Sequence, residues 1–193
     1  SSAASDVYKR QEYTVLVVDD VVSNVLLLKV LLTNEKFKVI TAGNGKEALS
    51  QAVNARPDLI LLDVMMPEMN GFEVAERLKA DPETQHIPII FLTALNTTAD
   101  IVKGFKVGAN DFISKPFNKE ELVIRVTHQI SLVAAKRIIM EQTEELRKII
   151  MGRDKLYSVI AHDLRSPMGS IKMVLNMFCL LYTSPSPRDT ERS

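Results

Sequence analysis

Asp19 and Asp20 close one short apolar run, TVLVVDD, and Asp63 closes another, DLILLD. Thr93 ends a third run, IPIIFLT, and Lys115 follows a fourth, DFIS. Three carboxylates packed together repel, and one of them tends to hold a proton unless a cation intervenes. Oxygen donors without histidine or cysteine favour a hard ion, and Mg2+ commonly takes one or two carboxylates together with phosphate oxygens. A hydroxyl from Thr93 and a point charge from Lys115 suit the oxygens of a phosphoryl group. Those are the parts phosphoryl transfer needs, because its loose transition state is helped chiefly by positioning and charge neutralisation. Taken alone, an acidic pair after a strand is as readily a helix N-cap, so the chemistry rests on these residues meeting.

The elements between them are arranged to make them meet. TVLVVD (14–19), KVITAG (38–43), DLILLDV (58–64), IPIIFLTA (87–94) and DFISK (111–115) read as strands. SNVLLLKVLLTN (23–34), GKEALSQAVNA (45–55), FEVAERLKA (72–80) and TADIVKGFKVGA (98–109) read as helices between them. Ser23 or Asn24 is expected to cap the first helix, Asn70-Gly71 to mark a turn, and Asn118 to cap a further helix. Strands that alternate with helices and never adjoin predict parallel β-α-β units rather than an α+β fold. The expected class is α/β, a flavodoxin-like doubly wound five-stranded parallel sheet in the order 2-1-3-4-5. Ligands of such sheets bind beyond the carboxyl ends of the strands, at the switch between strands one and three.

The text at four separated places resembles the response-regulator receiver family: VVDD (17–20), LLDVMMPEMNGFE (61–73), LTA (92–94) and SKPF (114–117). The resemblance implies that Asp63 is the phosphoacceptor, forming an acyl phosphate in a covalent step of the carboxylate-nucleophile kind. It implies that Asp19, Asp20 and Asp63, with the backbone carbonyl of Met65, hold Mg2+. Thr93 and Lys115 would then bind phosphoryl oxygens, Thr93 and Phe112 would form the switch, and Lys115-Pro116 would be a cis peptide. Phe112 reads equally well as core, and Met65, Met66 and Met69 as lining of the loop.

Beyond Asn118 the pattern changes. Between Phe117 and Pro167 there is no proline and one glycine, Gly152, as in a long coiled-coil helix. Steps of three and four give Leu132, Ala135, Ile139, Gln142, Leu146, Ile149, Arg153, Leu156 and Ile160, of which seven are apolar. That stripe predicts a homodimer through the helix after Asn118; the alternative is a polar linker helix without a partner. His162 lies about 200° around the helix from Ile160 and so points away from the seam. A neutral imidazole is a competent nucleophile, Asp163 could take or orient its proton, and Pro167 is expected to kink the helix. HDLRSP (162–167) resembles the H-box of the dimerisation and phosphotransfer domain of sensor kinases. That likeness implies His162 as a second phosphoacceptor and Asp163 as its acid/base. Ser166 stands where the family often has Thr or Asn, so phosphatase action is not carried over. His86 and His128 have no motif around them.

The 193 residues carry 24 basic and 24 acidic side chains, which gives no reason to expect nucleic acid or electrostatic membrane attachment. SSAASDVYKRQ (1–11) and CLLYTSPSPRD (179–189) resemble translated sequencing adapter, the alternative being a natural Ser/Pro-rich tail. Cys179, the single cysteine, falls in that second segment, which fits a reducing, cytoplasmic compartment and no disulfide. The expected domains are 12–128 receiver, 129–155 coiled-coil helix and 156–178 the start of a kinase dimerisation domain, with 1–11 and 179–193 adapter-like. The expected partners are a phosphodonor histidine kinase or phosphotransfer protein and, in the parent kinase, an ATP-binding domain for which no motif is present here. Two rivals stay open: a binding module whose Asp63 phosphorylation controls dimerisation or docking, and a Mg2+ phosphohydrolase on a similar sheet.

Overall fold

In a computed structural model of the chain, residues 10–94 and 98–183 are described, with the backbone alone for 98–100, 159–168, 170 and 180–183. Strands and helices alternate: β1 (Thr14–Val18), α1 (Val22–Asn34), β2 (Lys38–Ala42), α2 (Gly45–Ala55), β3 (Leu59–Asp63), α3 (Gly71–Ala80), β4 (Ile89–Thr93), α4 (Thr98–Lys106), β5 (Asp111–Ser114) and α5 (Lys119–Thr183). All strand pairs are parallel and the order is β2-β1-β3-β4-β5. The expected doubly wound sheet is present.

Because side chains alternate along each strand, the sheet builds two cores. Leu16, Val18, Ile60, Leu62, Ile89 and Phe91 face one way, towards Ala48 and Ala52 of α2 and Phe72, Val74, Ala75 and Leu78 of α3. Val15, Val17, Leu59, Leu61, Ile90 and Leu92 face the other, towards Leu28 and Leu32 of α1 and Leu122, Val126 and Ile130 of α5. β3 and β4 are buried along their whole length, which is why they read as unbroken apolar runs. Each such large side chain contributes about 1.5–3 kcal/mol on leaving water.

Two local expectations need correction. Neither Ser23 nor Asn24 caps α1: its N-cap is Val21, with no side-chain cap bond, and both residues lie inside the first turn, where Asn24 Nδ2 donates to Asp19. The Asn70-Gly71 pair opens a helix rather than marking a turn. Asn70 is the N-cap of α3, in a capping box with Glu73, and Gly71 is the first helical residue. Asn118 does cap α5, accepting from the Glu121 amide at 3.0 Å.

The chain divides into two compact units, one up to Arg137 and one from Ile138 onward. In the first, α5 packs through Leu122, Val126 and Ile130, with Gln129 buried beside them. Its last turn there is held by Arg137, whose guanidinium meets Asp58 at 2.7 Å and lies 5.2 Å above the Tyr13 ring. Asp58 in turn accepts the Thr14 amide at 2.8 Å, so the clasp reaches the starts of both central strands. Arg10, within the adapter-like segment, pairs with Glu35 at 3.0 Å; residues 1–9 and 184–193 lie outside the described residues. In the second unit the helix continues through Pro167 to Thr183. Ile139, Leu146, Ile149 and Leu156 are all about 60% exposed there.

Candidate functional site

Parallel strands end at a common edge, and register decides which residues arrive together. Val18 pairs with Leu62 and Asp63 with Leu92, which brings Asp19 and Asp63 to neighbouring strand ends. Thr93 pairs with Ser114, and the Lys115 amide donates to the Thr93 carbonyl at 2.8 Å. One carboxylate oxygen from each of Asp19, Asp20 and Asp63 lies within 4.8 Å of the others. Lys115 Nζ sits 2.8 Å from Asp19 Oδ2 and 2.9 Å from Asp63 Oδ2. Asp19, Asp63 and Thr93 are buried and Asp20 is exposed. The Lys115-Pro116 peptide is cis.

The buried carboxylates are held in place. Asp19 accepts from the Val21 amide at 2.9 Å and from Asn24 Nδ2 at 3.1 and 3.0 Å. Asp63 Oδ1 accepts from the Met65 amide at 3.2 Å. Burial is the largest influence on Asp63 and raises its pKa; the Lys115 hydrogen bond opposes this, the Asp19 charge adds to it, and the carboxyl ends above its ordinary value. Burial is the largest single influence on Lys115 and works against its charge, but the hydrogen bonds to Asp19 and Asp63 and the charges of those carboxylates together hold the ammonium above its usual range. Three carboxylates around one ammonium leave the pocket short of positive charge.

The loop after β3 is shaped by Gly71. A Cβ there would collide with the Asp63 carbonyl oxygen, so α3 can start only with glycine at this point. Met66 and Met69 are buried against the core while Met65 is exposed, so two of the three loop methionines pack rather than merely line it. Gly71→Ala is expected to cost roughly 1–3 kcal/mol, the usual range for forced overpacking, measured as a lower urea midpoint. Phe112 is half-buried, its ring 4.9 Å from that of Phe105 and 5.7 Å from that of Phe91. His162 and Asp163 lie in the helical backbone of α5, but their side chains, with that of Ser166, lie outside the described residues.

Two features went unread in the sequence. Asn24 holds Asp19, and its only signal was an amide one helical turn beyond a strand-end acid. Val21, the N-cap of α1, and Val22, Leu26, Leu27 and Val30 within the helix are 45–71% exposed. The helix is apolar all round, so its pattern could not say which residues stay in water.

Fold and edge together define an α/β domain with an acidic, lysine-bridged pocket at the carboxyl ends of its strands. Residues 15–127 match the family model of the response regulator receiver domain, and the chain belongs to that family. Response regulator PleD of Caulobacter vibrioides is 47% identical over 127 residues, 66% of this chain and 27% of PleD. DNA-binding response regulator MtrA of Mycobacterium tuberculosis is 46% identical over 112 residues, 58% of this chain and 48% of MtrA. The chain thus spans less than half the length of these relatives. The signal receiver domain of a signal transduction histidine kinase from Syntrophus aciditrophicus superposes with a TM-score of 0.58 at 36% identity, covering 62% of this chain and 90% of that one. Receiver domains serve two-component signalling, are phosphorylated on an aspartate by histidine kinases or phosphotransfer proteins, and generally bind Mg2+ at an acidic pocket. Among the described residues no helix is long and apolar enough to cross a membrane.

Proposed function

We propose that Asp63 is the phosphoacceptor of this receiver and that its phosphorylation acts through α5 on a dimeric histidine kinase carrying His162. The observation that carries the first part is Lys115 bridging Asp19 and Asp63, with Asp20 alongside. The donor set fits Mg2+, being three carboxylates and no nitrogen or sulfur; Asp19, Asp20, Asp63 and the Met65 carbonyl would hold it. When bound, the ion neutralises the carboxylates and the charge developing on the phosphoryl oxygens.

Asp63 attacks the phosphorus of the donor, forming an O–P bond as the donor's bond to phosphorus breaks. Lys115 then binds a phosphoryl oxygen, drawn from its salt bridges by a more highly charged anion. Thr93 donates its hydroxyl to another, and the room left by its movement admits the Phe112 ring. Gly104, over which that ring packs, would collide with it if it carried a Cβ, so the ring has α4 as its near wall. Residues 12–128 are the receiver in this reading, 129–155 the coiled-coil helix and 156–178 the start of the phosphoacceptor domain.

The kinase part is supported by HDLRSP at 162–167 and by the Syntrophus aciditrophicus receiver, which belongs to a histidine kinase by its name. PleD and MtrA are response regulators by theirs, which favours a second reading: a module whose Asp63 phosphorylation controls dimerisation or docking, with His162 inert. Acetyl phosphate should label the protein with Mg2+ and fail to do so with EDTA. In the full-length gene product ATP should label His162, and His162→Gln should lose that label. Retention of the ATP label in His162→Gln excludes His162, and no ATP label at all selects the docking module.

A further inference from the structure

We infer that the dimer seam of this chain begins on the receiver itself, with His128 of one copy facing His128 of a second copy. The inference rests on the proposed pairing of the α5 stripe and places its start. Within the first unit, α5 buries Leu122, Val126, Gln129 and Ile130 against the sheet and leaves Ile124, His128, Leu132 and Ala135 in solvent. At 100° per residue these two sets lie on opposite sides of the helix, so the solvent-facing side is clear of the receiver's own core. Ile124 is 68% and Leu132 52% exposed.

The heptad phase says what covers that side. The alternating steps of three and four that place Leu132, Ala135, Ile139, Leu146 and Ile149 in one stripe put His128 next when counted backwards, and Arg125 after it. Arg125 is turned back onto the receiver, 2.7 Å from Asp111 and 2.8 Å from Glu121, so the seam stops at His128 with Ile124 at its flank. An open groove of about 640 Å³ borders Ile124 and His128, lined also by Asn118, Glu120, Glu121 and Arg125. A second groove of about 280 Å³ runs on the other side of Ile124, past Val123. A stripe kept in one phase from His128 to Leu156 matches a helix of the same phase running alongside, and a two-fold axis through a second copy supplies one. With that axis running parallel to the helices, each seam residue meets its own counterpart, which is what sets His128 against His128.

Site-specific oxidative cross-linking tests this in the full chain with Cys179→Ser as background, Cys179 being exposed. Single cysteines are placed at His128→Cys, at Leu146→Cys in the downstream stripe and at Glu76→Cys, exposed on α3 across the sheet from α5. Copper phenanthroline should convert most of the 128 and 146 proteins to disulfide dimers and leave the 76 protein monomeric. Cross-linking at 146 without 128 overturns the inference and leaves the helical dimer standing. Failure at both positions overturns both. Cross-linking at 76 as readily as at 128 reports random collision and also overturns the inference. A nitroxide at Ile124, exposed at the flank of the seam, gives a second readout: close inter-label coupling supports the shared seam, and uncoupled labels refute it.

Discussion

Asp63→Asn is expected to remove labelling by acetyl phosphate and, in the same protein, to raise the melting temperature of the metal-free form at neutral pH. The two effects have one source. The native pocket raises the Asp63 pKa above its unfolded value of 3.8, by burial first and by the Asp19 charge as well, against the hydrogen bond from Lys115. The folded state therefore holds that proton more tightly than the unfolded chain does. Stability falls as pH climbs from the ordinary carboxyl pKa through the raised one, and the loss persists above both. An amide carries no such penalty, and Lys115 keeps its 2.8 Å contact with Asp19. The gain in melting temperature should shrink as the pH is lowered and vanish below the ordinary carboxyl pKa, where both side chains are neutral. Added Mg2+ should reverse the ranking, since an ion that binds the native carboxylates stabilises the unmutated protein by mass action. Thermal melts of both proteins across pH, with and without Mg2+, check this; a variant less stable than its parent in every condition contradicts it.

Lys115→Met is expected to do the opposite to stability and comparable harm to chemistry. Lys115 is the counter-charge of both buried carboxylates, at 2.8 and 2.9 Å, and an apolar side chain leaves them facing each other. Removing one partner of a buried pair costs about 3–5 kcal/mol, and the partial exposure of this one argues for the lower end, about 3. The urea midpoint of the metal-free protein should fall accordingly, and fall less with Mg2+ present. Loss of a preorganised donor to the transferring group should slow acetyl phosphate labelling by roughly 100-fold. An unchanged labelling rate would remove Lys115 from the phosphoryl site.

The strands and their parallel pairing were legible because buried strands bounded by turns and alternating with helices admit few other topologies, whereas the order 2-1-3-4-5 was carried over from the flavodoxin-like arrangement, one of two common doubly wound orders. The meeting of Asp19, Asp20, Asp63 and Lys115 was legible for the same reason: each stands at a strand's carboxyl end, and parallel strands end together. What the pattern could not express was which partner a side chain finds. Asn24 lies inside the first turn of α1 rather than at its cap, and its Nδ2 donates to both oxygens of the buried Asp19 carboxylate. Asn70-Gly71 has the composition of a turn, but Gly71 is required because the Asp63 carbonyl leaves no room for a Cβ. His128 carries no motif at all, and only its side of α5, set by what Leu122 and Val126 bury, gives it a place. The motif at 162–167 is readable in sequence while the side chains that would test it lie outside the described residues.

The phosphoryl group is expected on Asp63. After brief exposure to acetyl phosphate and Mg2+, the tryptic peptide from Glu47 to Arg77, whose Arg56-Pro57 bond resists trypsin, should carry the label, and fragment sequencing should put it on Asp63 rather than Asp58. Label on Asp19, Asp20 or any other peptide, with Asp63 unmodified, would contradict the account.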